Sequence, residues 1–167
     1  MIFETERLLV RQLKSSDIKG FYVLESNPEV LKYALGEVGT YDNIKKNLIE
    51  LIEKYKKPNN DYWIYAVERK ADHQFLGTIA LIKDDKGDDE IGYRFIEEFW
   101  GLGYGFEVCS GLVTYAKQNK LEKLIAYVID ENYASVKILK KLSFKAIKKS
   151  NKCESIPLPE TKYELVL

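Results

Sequence analysis

The chain has 167 residues, 46% hydrophobic and 31% charged, with 26 basic and 26 acidic side chains. That length suits a single domain with a sizeable core, and the composition is globular rather than disordered or fibrous. A formal net charge of zero gives no global field for a nucleic acid, and no apolar run approaches the ~20 residues of a membrane span. The start, from Met1 to Arg7, lacks a signal peptide's basic-then-apolar order, so a cytoplasmic protein without nucleic-acid or membrane partners is expected. Cys109 and Cys153 fit neither a disulfide framework nor zinc-ligand spacing and are read as reduced thiols. Locally the charge is uneven. Lysines dominate from Tyr115 to Lys152, which suits either an anionic ligand or an ordinary solvated helix face.

In chain order, Arg7 to Leu13 reads as a first strand, closed by Lys14 to Asp17, whose short polar side chains can cap the next helix, running to about Ser26. Asn27-Pro28-Glu29 restarts a short helix through Tyr33. Ile44, Leu48, Leu51, Ile52 and Tyr55 recur at spacings of three and four, predicting an amphipathic helix from Asp42 to Lys57. Tyr62 to Arg69, Phe75 to Lys83 and Glu90 to Ile96 read as an antiparallel meander. Helix and strand then alternate: a helix from about Gly103 to Asn119, a strand from Lys123 to Ile129, a helix from Tyr133 to Leu142, and a strand from about Phe144. The loop with Pro157 and Pro159 leads to a last strand, Tyr163 to Leu167. The class is α/β with a mixed central sheet.

Between the third strand of the meander and the following helix lies Trp100-Gly101-Leu102-Gly103-Tyr104-Gly105. Backbone N–H groups and the positive end of a helix dipole converge at such a point, and glycine admits an anion that a side chain would block. On spacing alone a tight strand-to-helix turn accounts for the glycines as well as an anion site does. The dinucleotide fingerprint does not fit, because counted from Gly101 its third glycine would fall at Phe106.

Four segments in order decide between these readings: Thr5 to Arg11, Ile91-Gly92-Tyr93, the loop from Trp100 to Gly105 with Glu107, and Asn132-Tyr133-Ala134-Ser135 through Lys141-Leu142-Ser143-Phe144. Together they resemble the GNAT N-acetyltransferases, in the branch of ribosomal-protein N-terminal and spermidine acetyltransferases, over nearly the whole chain. The resemblance implies one acetyltransferase domain over residues 1–167. Its central sheet should be mixed and mostly antiparallel, splayed between the fourth and fifth of the strands read above, with helices on both faces. It implies acetyl-CoA as cosubstrate, an amine acceptor and no metal, and it allows a homodimer. Phe95 then lies on the strand that meets the pantetheine arm, and the loop residues Leu102, Gly103, Tyr104, Gly105 and Phe106 hold the pyrophosphate through their amides. Asn132 and Ser135 approach the cofactor from the next helix, although Asn132 also suits a helix cap and Ser135 a first-turn hydroxyl. Glu107 reads as structural.

Three positions depart from the pattern. Leu102 stands where the family usually has a basic residue or glutamine, Leu139 where many members have a proton-donating tyrosine, and Ser143 where glycine normally ends the helix in a left-handed conformation. Acetyl transfer needs a deprotonated amine, a polarised carbonyl and a stabilised thiolate. Glu90 is the candidate base, acting through water, unless it only closes an acidic hairpin with Asp88 and Asp89. Ser135 is the candidate for stabilising the thiolate. His73 reads as an exposed turn residue, and Trp63, Tyr65, Tyr33 and Tyr41 are given no role. Two rivals remain: a non-catalytic acyl-CoA-binding module, and a phosphate- or nucleotide-binding α/β protein.

Overall fold

A computed structural model describes residues 1–34, 38–150 and 158–167; Cys153 and Pro157 therefore lie outside the described residues. The chain forms β1 (Phe3–Glu4), β2 (Leu8–Gln12), α1 (Ile18–Glu25), α2 (Pro28–Leu31) and α3 (Tyr41–Lys54). The meander follows as β3 (Tyr62–Arg69), β4 (Phe75–Lys83) and β5 (Asp89–Phe95). The alternating half is α4 (Tyr104–Gln118), β6 (Lys123–Ile129), α5 (Tyr133–Lys141), β7 (Lys145–Ser150) and β8 (Glu160–Val166).

Local chemistry starts most of the helices as expected. Asn27 Oδ1 accepts from Glu29 N at 2.8 Å with Pro28 in the first turn of α2, and Thr40 Oγ1 accepts from Asn43 N at 3.4 Å above α3. Asp17 differs from the expectation that it caps α1. Its buried carboxylate turns back instead, to the bidentate Arg11 guanidinium at 2.8 and 2.9 Å and to Lys14 N at 2.9 Å. Arg11 also holds Glu68 at 2.6 Å, which ties β2 to β3 beneath that turn. At the other end of the chain Phe144 N donates to Leu139 O and Ser143 N to Lys140 O, both at 3.0 Å. This pair of bonds, with Leu139 and Phe144 both buried, is a Schellman ending that places Ser143 at φ 67, the left-handed angle expected there.

The strands form one eight-stranded sheet in the order β1-β2-β3-β4-β5-β6-β8-β7. Its two-residue edge strand β1, paired with Leu9 and Val10, is too short to leave a periodic signal in sequence. Side-chain alternation sorts the sheet into two faces. Ile64, Ala66, Ala80 and Ile82 pack with Phe21, Ile44, Leu48 and Leu51, so this face is covered by α1 and α3. Tyr65, Val67, Ile79, Leu81, Ile91 and Phe95 pack with Tyr104, Val108, Leu112 and Leu139, so the opposite face is covered by α4 and α5. Burial of Ile44, Leu48 and Leu51 stabilises the seat of α3 by about 1.5–3 kcal/mol per side chain.

Among the described strands β5 and β6 are the one parallel pair of neighbours, joined in sequence by α4. Their register consists of a single partnership, Glu90 with Ile125, and beyond it toward Phe95 the strands part. The sheet is thus splayed at the position expected of it.

A split strand pair with a glycine-rich helix start

The gap between β5 and β6 exposes peptide groups of a known side. Ile96 N donates to Leu76 O on β4 at 2.9 Å. Along an antiparallel strand successive peptide groups alternate sides, so those of Tyr93 and Phe95 turn away from β4 and into the gap. Phe95 thus turns its backbone toward the gap, and its carbonyl receives Trp100 Nε1 at 2.7 Å. Its ring is buried and stacks on Tyr104 at 6.3 Å between centroids.

At the mouth of the gap the loop turns with Gly101 at φ 74 and Gly103 at φ 83, angles that a β-carbon disfavours. Gly103 caps α4 without a side chain, and the first amide to bond back is Glu107 N, to Gly103 O at 3.1 Å. The amides of Tyr104, Gly105 and Phe106 therefore point out of the helix end without an intrahelical carbonyl, a local concentration of positive partial charge. Leu102 is 50% exposed and supplies no charge. Arg7 supplies one nearby, donating Nη1 to Leu102 O at 3.1 Å and resting over the Tyr104 ring at 4.4 Å.

Glu107 holds Arg7 in place. Its carboxylate accepts from Thr5 Oγ1 at 2.6 Å, Arg7 N at 2.8 Å and Arg7 Nε at 2.6 Å, so it is the structural clamp expected of it. Burial raises its carboxyl, but these bonds outweigh burial and hold it below its ordinary value. Phe106 faces α5, with Lys141 Nζ 3.9 Å from its ring centroid. Gly105 marks the closest approach of three elements: a β-carbon there would meet Ile138 Cδ1 at 3.1 Å and Tyr93 Cε2 at 3.3 Å.

On α5, Asn132 is the N-cap, its side chain accepting from Ser135 N at 3.2 Å. The Ser135 hydroxyl lies 3.0 Å from Tyr93 Oη, across the gap from β5. Burial pushes the Tyr93 phenol far above its ordinary value, helped by neighbouring Cys109 and opposed by the bond to Ser135. The Cys109 thiol is itself raised by burial, which makes it inert. Leu139 is 2% exposed, an apolar core residue with no proton to give. Sequence reasoning placed Tyr93 in a motif but gave it no role. The signal lies in its odd position on β5, which directs it at α5, and only the packing of β5 against α5 brings it to Ser135.

Glu90 sits three residues before Tyr93, about 10 Å along β5, and on the other face. Its register partners Ile82 and Ile125 place it on the side of α1 and α3. Burial, with the like charges of Asp84 and Glu160, pushes its carboxyl from an ordinary 4.5 up to about 7, with Lys162 opposing. The hairpin reading assigned turn closure to Glu90, but Asp84 performs it, accepting from the amides of Lys86 and Asp88 at 2.9 Å each. Asp88 is engaged by Lys123 at 2.9 Å and Lys162 at 3.0 Å. Farther along the same face, Arg94 donates Nη1 to Glu25 Oε2 at 3.1 Å, linking β5 to the end of α1. Tyr33 Oη donates to Glu131 O at 3.5 Å, and Trp63 and Tyr65 stack with Tyr55 away from the gap. His73 is exposed on its turn at φ 58, its ring meeting Glu68 at 2.8 Å and its amide donating to Arg69 O at 2.9 Å, remote from this region.

An uncapped helix start, glycines at left-handed angles and a strand edge with outward peptide groups fit a cofactor that has a pyrophosphate followed by an amide-bearing arm. The sequence profile of the acetyltransferase (GNAT) domain matches residues 7–145, and the chain belongs to this family. It is an acyltransferase, and its donor is acetyl-CoA. The uncharacterized N-acetyltransferase YoaA of Bacillus subtilis is 29% identical over 147 residues, covering 86% of this chain and 82% of that protein. The same fold occurs in the ribosomal-protein-S5-alanine acetyltransferase of Vibrio fischeri, with a TM-score of 0.81 and 22% identity over 98% of this chain and 95% of that one. RimL, a ribosomal L7/L12 α-N-protein acetyltransferase solved with coenzyme A, superposes with a TM-score of 0.82 and 16% identity over 98% and 96% of the two chains. Among the described residues no helix is long and apolar enough to cross a membrane.

Proposed function

We propose that this chain is one acetyltransferase domain that acetylates a primary amine by direct attack, the acceptor being a protein N-terminus, a polyamine or another small amine. Acetyl-CoA supplies an activated acyl thioester. The amides of Leu102 to Phe106, with the backbone of Phe95 and the side chains of Asn132 and Ser135, hold it in the gap. Glu90 takes the amine's proton, directly or through a water, as nitrogen bonds to the acyl carbon. The Ser135 hydroxyl donates a hydrogen bond to sulfur as the carbon–sulfur bond breaks. The products are an amide and a thiol, with the amine's proton balancing the thiolate.

One observation carries the reading: the two groups stand on opposite faces of the same split strand. Glu90 faces α1 and α3 while Ser135 lies on α5, on the opposite face, so an amine entering from the first side and a sulfur leaving toward the second each meet one of the two groups. A carboxyl near 7 is matched to proton abstraction at neutral pH. The likeness of the fold to two protein N-terminal acetyltransferases favours an α-amino group of a protein as acceptor, and a cytoplasmic location suits that acceptor. The absence of a tyrosine at Leu139 favours the second reading, a binding module without catalysis. Thiol release from acetyl-CoA over a panel of N-terminal peptides, polyamines and small amines separates the two. Turnover with at least one amine is expected; tight binding with no thiol released by any amine establishes the module instead.

A further inference from the structure

We infer that Tyr93 is a positioning residue for the sulfur side of the reaction: its phenol donates to Ser135 Oγ and so leaves the serine's own proton directed at the leaving sulfur. The inference rests on the role given to Ser135 above. A serine hydroxyl has one proton and two acceptor sites. A phenol is the better donor and the poorer acceptor of the pair, so across the 3.0 Å contact the proton between the oxygens belongs to tyrosine. The Tyr93 phenol keeps that proton because it is buried, and its titratable neighbour on α4, Cys109, is neutral for the same reason.

The usual alternative for a helix serine is the carbonyl four residues back. Here that is Glu131 O, whose two acceptor sites already take Tyr133 N at 2.9 Å and Tyr33 Oη at 3.5 Å. The backbone of the first turn is pinned as well, by the Asn132 cap on Ser135 N. The Tyr93 ring has little freedom: Gly105 lies over it, Ile138 bounds the same contact, and Phe95 stands 6.2 Å away between centroids. A locked donor thus meets a locked acceptor at the gap. The element missing at Leu139 is replaced by a pair from two different elements, in which the tyrosine orients and the serine touches the sulfur.

Tyr93→Phe keeps the packed ring and deletes one hydroxyl. In complexes with CoA, the thiolate absorbance of the bound cofactor, taken as a difference against the desulfo-CoA complex, reports the thiol's ionisation without any acceptor. In the wild type the bound thiol should ionise at lower pH than free CoA. Tyr93→Phe and Ser135→Ala should each return the titration toward that of free CoA, and the double variant should shift it no further than Ser135→Ala. With the best amine of the panel, kcat should fall about tenfold in Tyr93→Phe while KM for acetyl-CoA and the melting temperature hold, as expected for one charge-assisted hydrogen bond. A normal titration in Tyr93→Phe beside a shifted one in Ser135→Ala overturns the role of Tyr93 and leaves that of Ser135 standing. Normal titrations in both remove Ser135 from the sulfur, and Tyr93 with it. Additive shifts in the double variant show that Tyr93 does not act through Ser135.

Discussion

Glu90→Gln should make the protein both slower and more stable, and the two effects share one cause. Withdrawal from water and the charges of Asp84 and Glu160 raise the Glu90 carboxyl from 4.5 to about 7. A folded-state value above the unfolded one means that the native state binds more protons between those limits, so this group's contribution to stability declines as pH rises from 4.5 to about 7. At 1.36 kcal/mol per pH unit the full difference is about 3 kcal/mol. The side chain is only partly withdrawn from solvent, so screening reduces this to about 1–2 kcal/mol. Glutamine matches the shape without the charge and should recover that amount above pH 7, raising Tm by about 2–8 °C for a chain of this size. Near pH 4.5 both forms are neutral and the difference should vanish. Thermal melts across this range, followed by circular dichroism, measure the gap directly. In parallel, the wild-type rate should fall tenfold per unit below about pH 7, and the variant should lose about 100-fold in rate and that pH limb together. If Glu90→Gln melts with the wild type at pH 8, the carboxylate is not held in a hostile site. Its assignment as the base then loses its physical ground.

Saturation with acetyl-CoA at about a hundredfold excess over Kd should stabilise the fold by about 2.7 kcal/mol and raise Tm by about 5–10 °C, measured by scanning fluorimetry; an unchanged Tm with no calorimetric binding removes the cofactor site. Gly103→Val imposes a β-branched side chain at φ 83, and Gly105→Val places one within 3.1–3.3 Å of Ile138 and Tyr93. Each should weaken CoA binding by more than about tenfold, while the strain costs only about 1–2 kcal/mol of stability. Wild-type affinity in a folded variant reduces the loop to a turn. Ser143→Gly should stabilise the Schellman ending by about 1 kcal/mol, or about 2–4 °C in Tm, because glycine relieves the left-handed angle at φ 67; a lower Tm would show that the serine side chain contributes more than its backbone strain.

Much of the fold was legible because its determinants are local. The period of Ile44, Leu48 and Leu51 marks α3, Asn27 and Pro28 start α2, and alternation marks the meander from Tyr62 to Phe95 within a residue of its observed limits. The turn that starts α4 was legible too, since the left-handed angles at Gly101 and Gly103 follow from glycine itself. Even the strained serine at the end of α5 could be read, because helix endings are set by a handful of neighbouring residues.

What the sequence determined, then, was the order of elements, the loop that starts α4 and the residue types gathered near it. Only tertiary structure decided which of those residues share a site. Asp17 reads as a helix cap until Arg11 folds against it. Glu90 is one of several acids in a hairpin until Asp84, Glu160 and burial raise it, and Tyr93 is a strand aromatic until α5 brings Ser135 to 3.0 Å. The physical reason is range: dihedral preference and side-chain period act over a few residues, whereas burial, charge coupling and a hydrogen bond between residues 42 apart in sequence exist only once the sheet has opened and the helices have packed on its two faces.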